Sequence, residues 1–137
     1  VSERGYWNLQ GLAPSGEGES EFRISQAHLA HFEENGPAYK YYEAFSIDET
    51  IKSPLIIAEG LRREGYEEGL CYIGKPKKHG KDWSGPGPPK MVFLVCMSKD
   101  FKIFEWRWEK EDMARPNYPD KLTERFTKIK WKHSSIT

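Results

Sequence analysis

Little in this chain points to redox, metal or membrane chemistry. Cysteine occurs only twice, at Cys71 and Cys96, each inside an apolar run, which is too few for a disulfide scaffold. Two buried free thiols are the expectation, and with them a reducing, cytoplasmic compartment. No stretch approaches the roughly 18 apolar residues of a membrane span, and no charged-then-apolar leader of the secretory type is visible. No membrane partner is therefore expected. A glycine-rich phosphate loop, a GxSxG elbow, an HExxH pair and a CxxC pair are also missing. Nucleoside triphosphate use and metalloprotease chemistry are not expected, and no cofactor is implied. Net charge is absent too, since 21 Lys and Arg balance 21 Asp and Glu.

What is present suits one domain. A chain of 137 residues can bury a core without staples, and 14% aromatic residues argue against disorder. The charges are unevenly placed. Residues 1–69 hold 6 Lys/Arg against 13 Asp/Glu, a net of −7, and residues 70–137 hold 15 against 8, a net of +7. A basic sheet face is one reading of that asymmetry; two halves that neutralise each other on a folded surface is the other.

Residues 1–24 are rich in Gly, Glu and Ser, above all Ser15-Gly16-Glu17-Gly18-Glu19-Ser20-Glu21, and read as a flexible lead or linker. A single domain is expected over 25–137. Gln26 to Glu34 suits a short helix stopped at Asn35-Gly36-Pro37. A second helical region is expected from Ser46-Ile47-Asp48-Glu49, a capping-box pattern, with a restart at Ser53-Pro54 that runs on to Arg63. Leu70 to Gly74 reads as a short strand, and Lys75 to Lys90 as a Gly-, Pro- and Lys-rich loop. Met91 to Ser98 is apolar on both faces and predicts a central strand covered, or nearly covered, on both sides. Lys99-Asp100 predicts a two-residue turn. Phe101 to Glu109 then alternates, with Phe104, Trp106 and Trp108 on one face and Phe101, Ile103, Glu105, Arg107 and Glu109 on the other. Phe126 to Lys132 reads as a further strand or a terminal helix. The expected fold class is α+β, with N-terminal helices packed on a three- to four-stranded antiparallel sheet.

Three groups of residues are able to carry chemistry. Glu105, Arg107 and Glu109 project from one strand face; they form either a solvated ion-pair row or an anion site centred on the planar fork of Arg107. His28 and His31, three residues apart, share one side of the first expected helix. No third or fourth ligand follows at zinc-like spacing, so no metal site is expected, and a single His remains a candidate acid or base. Lys75, Lys77, Lys78, His79 and Lys81, with Trp83 close by, form a basic, aromatic-flanked loop of a kind that grips a phosphate chain. An ordinary solvated loop is the plain alternative.

The run Ile47-Asp48-Glu49-Thr50-Ile51-Lys52-Ser53-Pro54, followed by Ile57-Ala58-Glu59-Gly60, Cys71-Tyr72-Ile73-Gly74 and the apolar hairpin, resembles the barnase/EndoU/colicin/RelE-like nuclease superfamily. The likeness is to its phage-associated branch and covers about residues 26–110. It implies a metal-independent ribonuclease of the toxin type, in which an RNA 2′-hydroxyl attacks the adjacent phosphate. His31 (or His28) would then be the acid or base, and Arg107 and Lys75 would stabilise phosphorane charge. His28, Lys77, Lys78, His79 and Trp83 would hold the substrate. RNA is one implied partner, and an immunity or antitoxin protein another. Glu105 and Glu109 count against phosphate at Arg107, because carboxylates repel it. The competing expectations are a non-catalytic protein-interaction module of mobile-element origin and a small-ligand pocket between the Trp-rich sheet and the helices.

Overall fold

The computed structural model describes residues 6–25, 37–62, 64–79, 84–85, 91–110 and 125–134. They build a mostly β domain, so the expectation of N-terminal helices on a three- to four-stranded antiparallel sheet is overturned. In chain order the elements are β1 (Tyr6–Leu12), β2 (Glu19–Ser25), α1 (Pro37–Lys52), β3 (Ile56–Leu61) and β4 (Leu70–Gly74). There follow β5 (Lys78–His79), β6 (Ser84–Gly85), β7 (Met91–Met97), β8 (Lys102–Lys110) and β9 (Phe126–Lys132). Seven strands form one sheet in the order β1-β2-β8-β7-β4-β3-β9, and β5 pairs with β6 separately. Every neighbouring pair in the large sheet is antiparallel except β2 and β8.

The central strand behaves as its sequence demands. β7 is the fourth of the seven strands, and Val92 to Met97 are all buried. Phe93, Val95 and Met97 join Ile47 and Ile51 of α1 in one core, together with Phe22, Tyr72 and Trp106. Val92, Leu94 and Cys96 join Ile56, Ala58, Ile73 and Phe126 in a second core on the opposite face. Side chains of this size each contribute roughly 1.5–3 kcal/mol when fully buried, so neither face is dispensable.

Local sequence explains where the helix expectation fails. Pro37 stands at the first position of α1, where a missing N–H costs nothing. Ser46 lies inside α1 rather than capping it, and its hydroxyl donates to the Lys77 carbonyl at 3.4 Å. Pro54 then stops the helix, and Ile56 to Leu61 become β3 instead of a helical restart. A short apolar run with two β-branched residues fits either period, and burial on both faces selects the strand. The expected helix over 26–34 lies outside the described residues, as do 80–83 and 86–90 of the basic loop.

Tyr6 to Ser25, all but the last within the 1–24 stretch read from composition as a flexible lead, are a regular hairpin with seven paired positions. It docks by parallel pairing of Arg23 and Ile24 with Lys102 and Ile103. The sheet curls into a half-barrel around α1. Tyr72 on β4 donates its hydroxyl to the Leu12 carbonyl on β1 at 2.7 Å. Those strands are four places apart in the sheet, about 19 Å if it were flat. Farther along, the turn between β1 and β2 reaches β9 at the other edge, where a side chain on Gly16 would overlap the indole of Trp131.

Two irregularities reset the β7–β8 hairpin. Its turn is a three-residue loop, Lys99 to Phe101, not the expected two, with Ser98 N–H donating to the Lys102 carbonyl at 3.0 Å. Phe101 takes φ 65°, the position where such a loop normally wants glycine. It is held there by edge-on packing against Phe22, centroids 5.2 Å apart, and by its carbonyl accepting Arg23 N–H at 2.9 Å. A register shift then makes Met97 face Ile103 but Cys96 face Glu105, so Phe104 is an extra residue. Ile103 therefore joins Trp106 and Trp108 over α1, and Phe104 moves to the charged face. The expected face assignment was correct for Trp106, Trp108, Glu105, Arg107 and Glu109 and reversed for Phe101, Ile103 and Phe104.

Gly16 and Gly18 share a left-handed backbone, with φ 86° and 79°, but only Gly16 touches the opposite edge; Gly18 has nothing within 4 Å of an added Cβ. Gly18→Ala should cost about 1 kcal/mol, the left-handed penalty alone. Gly16→Ala should cost about 3 kcal/mol, because overlap with Trp131 is added. Urea unfolding of both variants checks this; equal losses would mean that the turn does not pack on the Trp131 indole.

Candidate functional site

The second face of the sheet, beyond the bulge at Phe104, carries a continuous polar chain. Alternation on β8 projects Glu105, Arg107 and Glu109 from one side at about 6.6 Å per step. Arg107 donates through Nη1 to Glu105 at 2.5 Å and through Nε to Glu109 at 2.6 Å. Two residues from other elements extend the row. Tyr66, in the β3–β4 connection, donates its hydroxyl to Glu105 at 2.7 Å, and its ring packs on Phe104 with centroids 5.3 Å apart. Arg125, just before β9, donates to the other oxygen of Glu109 at 2.9 Å. The four charged side chains are 13% to 28% exposed, so the chain is half-buried with two positive and two negative groups.

Beneath the chain lie the two thiols. Cys71 and Cys96 are direct cross-strand partners on β4 and β7, with sulfurs 3.6 Å apart, and Cys96 in turn faces Glu105 on β8. Neither is in a disulfide and both are buried, as their apolar surroundings implied. The hydrogen bond with Cys96, followed by burial, pushes the Cys71 thiol well above its ordinary value, and the weaker pull of Arg107 and Arg125 does not reverse this. Thiols in that state are poor nucleophiles.

The ionic groups are tuned in the opposite sense. Burial works against the charge on Glu109, but hydrogen bonds from Arg125 and Arg107 and their positive charge outweigh it and hold the carboxyl below its ordinary 4.5. Burial likewise opposes the Arg107 charge, and Glu109 and Glu105 more than offset it. Nε and Nη1 of Arg107 are already bonded to carboxylates, and their negative charge would repel an approaching phosphate.

The remaining candidate residues fall elsewhere. Lys75 lines a groove of about 250 Å³ with Asp48, Glu49, Lys52, Ser53 and Pro76. That groove follows α1, which packs on the first face, whereas Arg107 projects from the second. Lys77 is exposed, and its backbone N–H donates to Glu49 at 2.8 Å, tying the start of the basic segment to the helix. Lys78 and His79 form β5, a two-residue strand against Ser84 and Gly85. His28, His31 and Trp83 lie outside the described residues. Among the described residues, no group of three or more His, Cys, Asp or Glu gathers as a metal site, and no helix is long and apolar enough to cross a membrane. Tyr66 and Arg125 were not singled out as partners of the charged row; the Tyr in Gly65-Tyr66-Glu67 was its only sequence trace.

Comparison with protein-family models, with curated proteins and with solved structures finds no match to this chain.

Two outcomes follow from this geometry. Because Glu109 ionises more readily when folded, its contribution is complete above pH 4.5 and is lost as the pH falls through the lowered value. The urea midpoint of the native protein should therefore drop more steeply below about pH 4.5 than that of Glu109→Gln; parallel pH profiles would remove Glu109 from the network. The thiol pair should resist Ellman's reagent in the native state and react completely in concentrated guanidinium. Rapid native labelling of either cysteine would contradict their burial.

Proposed function

We propose that this domain is a non-catalytic interaction module. The observation that carries the reading is the pairing of Arg107 through Nη1 with Glu105 at 2.5 Å and through Nε with Glu109 at 2.6 Å. A catalytic arginine has to present its fork to charge that develops on substrate. This fork is instead turned along the sheet, with Tyr66 and Arg125 closing the row at either end. A row of alternating charge with every strong acceptor engaged stiffens a sheet surface, as a scaffold for recognition requires.

Placement supports the same view. A ribonuclease reading asks Lys75 and Arg107 to act on one phosphate, but the sheet stands between the groove lined by Lys75 and the row holding Arg107. The thiols under the row offer no alternative nucleophile, given their burial and the raised thiol of Cys71.

The test is direct. Unstructured and hairpin RNAs, incubated with the protein in EDTA and again with added magnesium, should stay intact. Arg107→Ala should lower stability by about 2 kcal/mol, because half-buried Glu105 loses that cation and Glu109 is left with Arg125 alone. RNA cleavage that disappears in Arg107→Ala while the fold survives would replace this reading with the nuclease one.

A further inference from the structure

We infer that the outer edge of β9 is a docking site for an extended, acidic polypeptide segment that adds to the sheet as an eighth strand. This rests on the interaction-module reading and names the class of partner. β9 ends the strand order, and among the described residues its ladder bonds all run to β3. At its two ends, His133 N–H donates to the Leu55 carbonyl at 2.8 Å, and the Arg125 carbonyl accepts Arg62 N–H at 2.7 Å, both on the β3 side. Among the described residues, no backbone partner lies on the outer side of Phe126 to Lys132, so that row of N–H and C=O groups faces outward.

The side chains select what can pair there. Lys128, Lys130 and Lys132 are all exposed. Lys130 lies 3.4 Å from Glu59, while Lys128 and Lys132 have no carboxylate within salt-bridge reach among the described residues. Simple alternation would put all three lysines on one face, but the irregularity opposite Ile57 and Ala58 prevents it. Lys128 stands opposite Glu59, and Lys132 opposite Ile56, a member of the second-face core. Lysines therefore flank the edge on both faces of the sheet.

That arrangement matches an added strand, whose own side chains alternate between the two faces, provided that acidic residues occur on both. It opposes pairing with the β9 edge of a second copy, which would bring lysines against lysines. A nucleic acid would use the charge but none of the outward N–H and C=O groups. The positive region also continues beyond the edge. Lys132 stands opposite Ile56, and Ile56 opposite Ile73, so Lys75 and Lys77 leave the sheet at the same end, two strands or about 10 Å away.

The probe is a fluorescein-labelled ten-residue peptide alternating Glu with Val and Thr so that both faces carry Glu, followed by anisotropy against the full chain. A Lys-for-Glu version and polyuridylate serve as comparators. The acidic peptide should bind, and Lys128→Glu with Lys132→Glu should weaken it by about tenfold or more while leaving the thermal midpoint unchanged. Hydrogen exchange should slow at β9 amides when the peptide is present, a readout that loose charge attraction would not move. Absence of binding, binding unaffected by the two charge reversals, unprotected β9 amides, or tighter binding of polyuridylate would each overturn the proposal. Lysines that serve only to keep the edge from self-pairing would give the first of these results. The RNA-cleavage assay is independent, so failure at this edge leaves the interaction-module reading standing.

Discussion

β7 cannot show either face to water, and the architecture follows from that constraint. Phe93, Val95 and Met97 point one way, Val92, Leu94 and Cys96 the other, and all six are buried. A half-solvated antiparallel sheet would expose three of them, at roughly 1.5–3 kcal/mol each, a large share of what holds a small domain folded. The first face meets this demand by curling around α1, which brings only Ile47 and Ile51 into that core from its described residues. The strands of the sheet supply the other described members of that core. Tyr72 reaches Leu12, and Phe22 stacks edge-on to Tyr72 at 5.3 Å, so strands distant in the order close over the helix.

The same constraint gives the bulge at Phe104 its purpose. Without it, strict alternation would place Ile103 on the charged face and Phe104 among the residues over α1. The extra residue turns Ile103 into the first core, where it is 2% exposed, and leaves Phe104 to pack on Tyr66. Tyr66 is thereby set beside Glu105, so the polar chain owes its terminal partner to a one-residue insertion. The left-handed Phe101 belongs to the same device. Its backbone costs about 1–2 kcal/mol, offset by its ring against Phe22 and by the Arg23 N–H that begins the parallel β2–β8 pairing.

The central strand, the existence of the β7–β8 hairpin and the pairing of Trp106 with Trp108 were legible because each rests on strong short-range periodicity. The bulge was not, since no glycine marks it and alternation looks unbroken on either side. β3 was hidden for a different reason. Ile56-Ile57-Ala58 between a proline and a glycine satisfies helix and strand alike, and only the neighbours β4 and β9, far along the chain, decide it. The β1–β2 hairpin was masked by composition: Gly16, Gly18 and the glutamates suggest a linker, whereas the glycines supply a left-handed turn and Glu19 and Glu21 lie on paired positions of β2. For the candidate site, Glu105, Arg107 and Glu109 were visible as a row. Whether the row was open or closed depended on Tyr66 and Arg125, whose approach is a matter of tertiary contact.

Charge distribution ties these points together. The acidic and basic halves of the sequence do not become two opposed faces. Part of the basic half is consumed internally, with Arg107 and Arg125 neutralised by Glu105 and Glu109 on the half-buried face. Part of the acidic half is consumed by α1, through Asp48 with Lys52 and Glu49 with the Lys77 backbone. Lys128 and Lys132 remain outside both arrangements, on the last strand of the sheet, where solvent screening makes them weak contributors to stability. Ion pairs fixed within the domain rigidify it; charges left at an edge govern what may approach. Function in this fold is therefore sought at the boundary of the sheet and not at the arginine that the sequence makes most conspicuous.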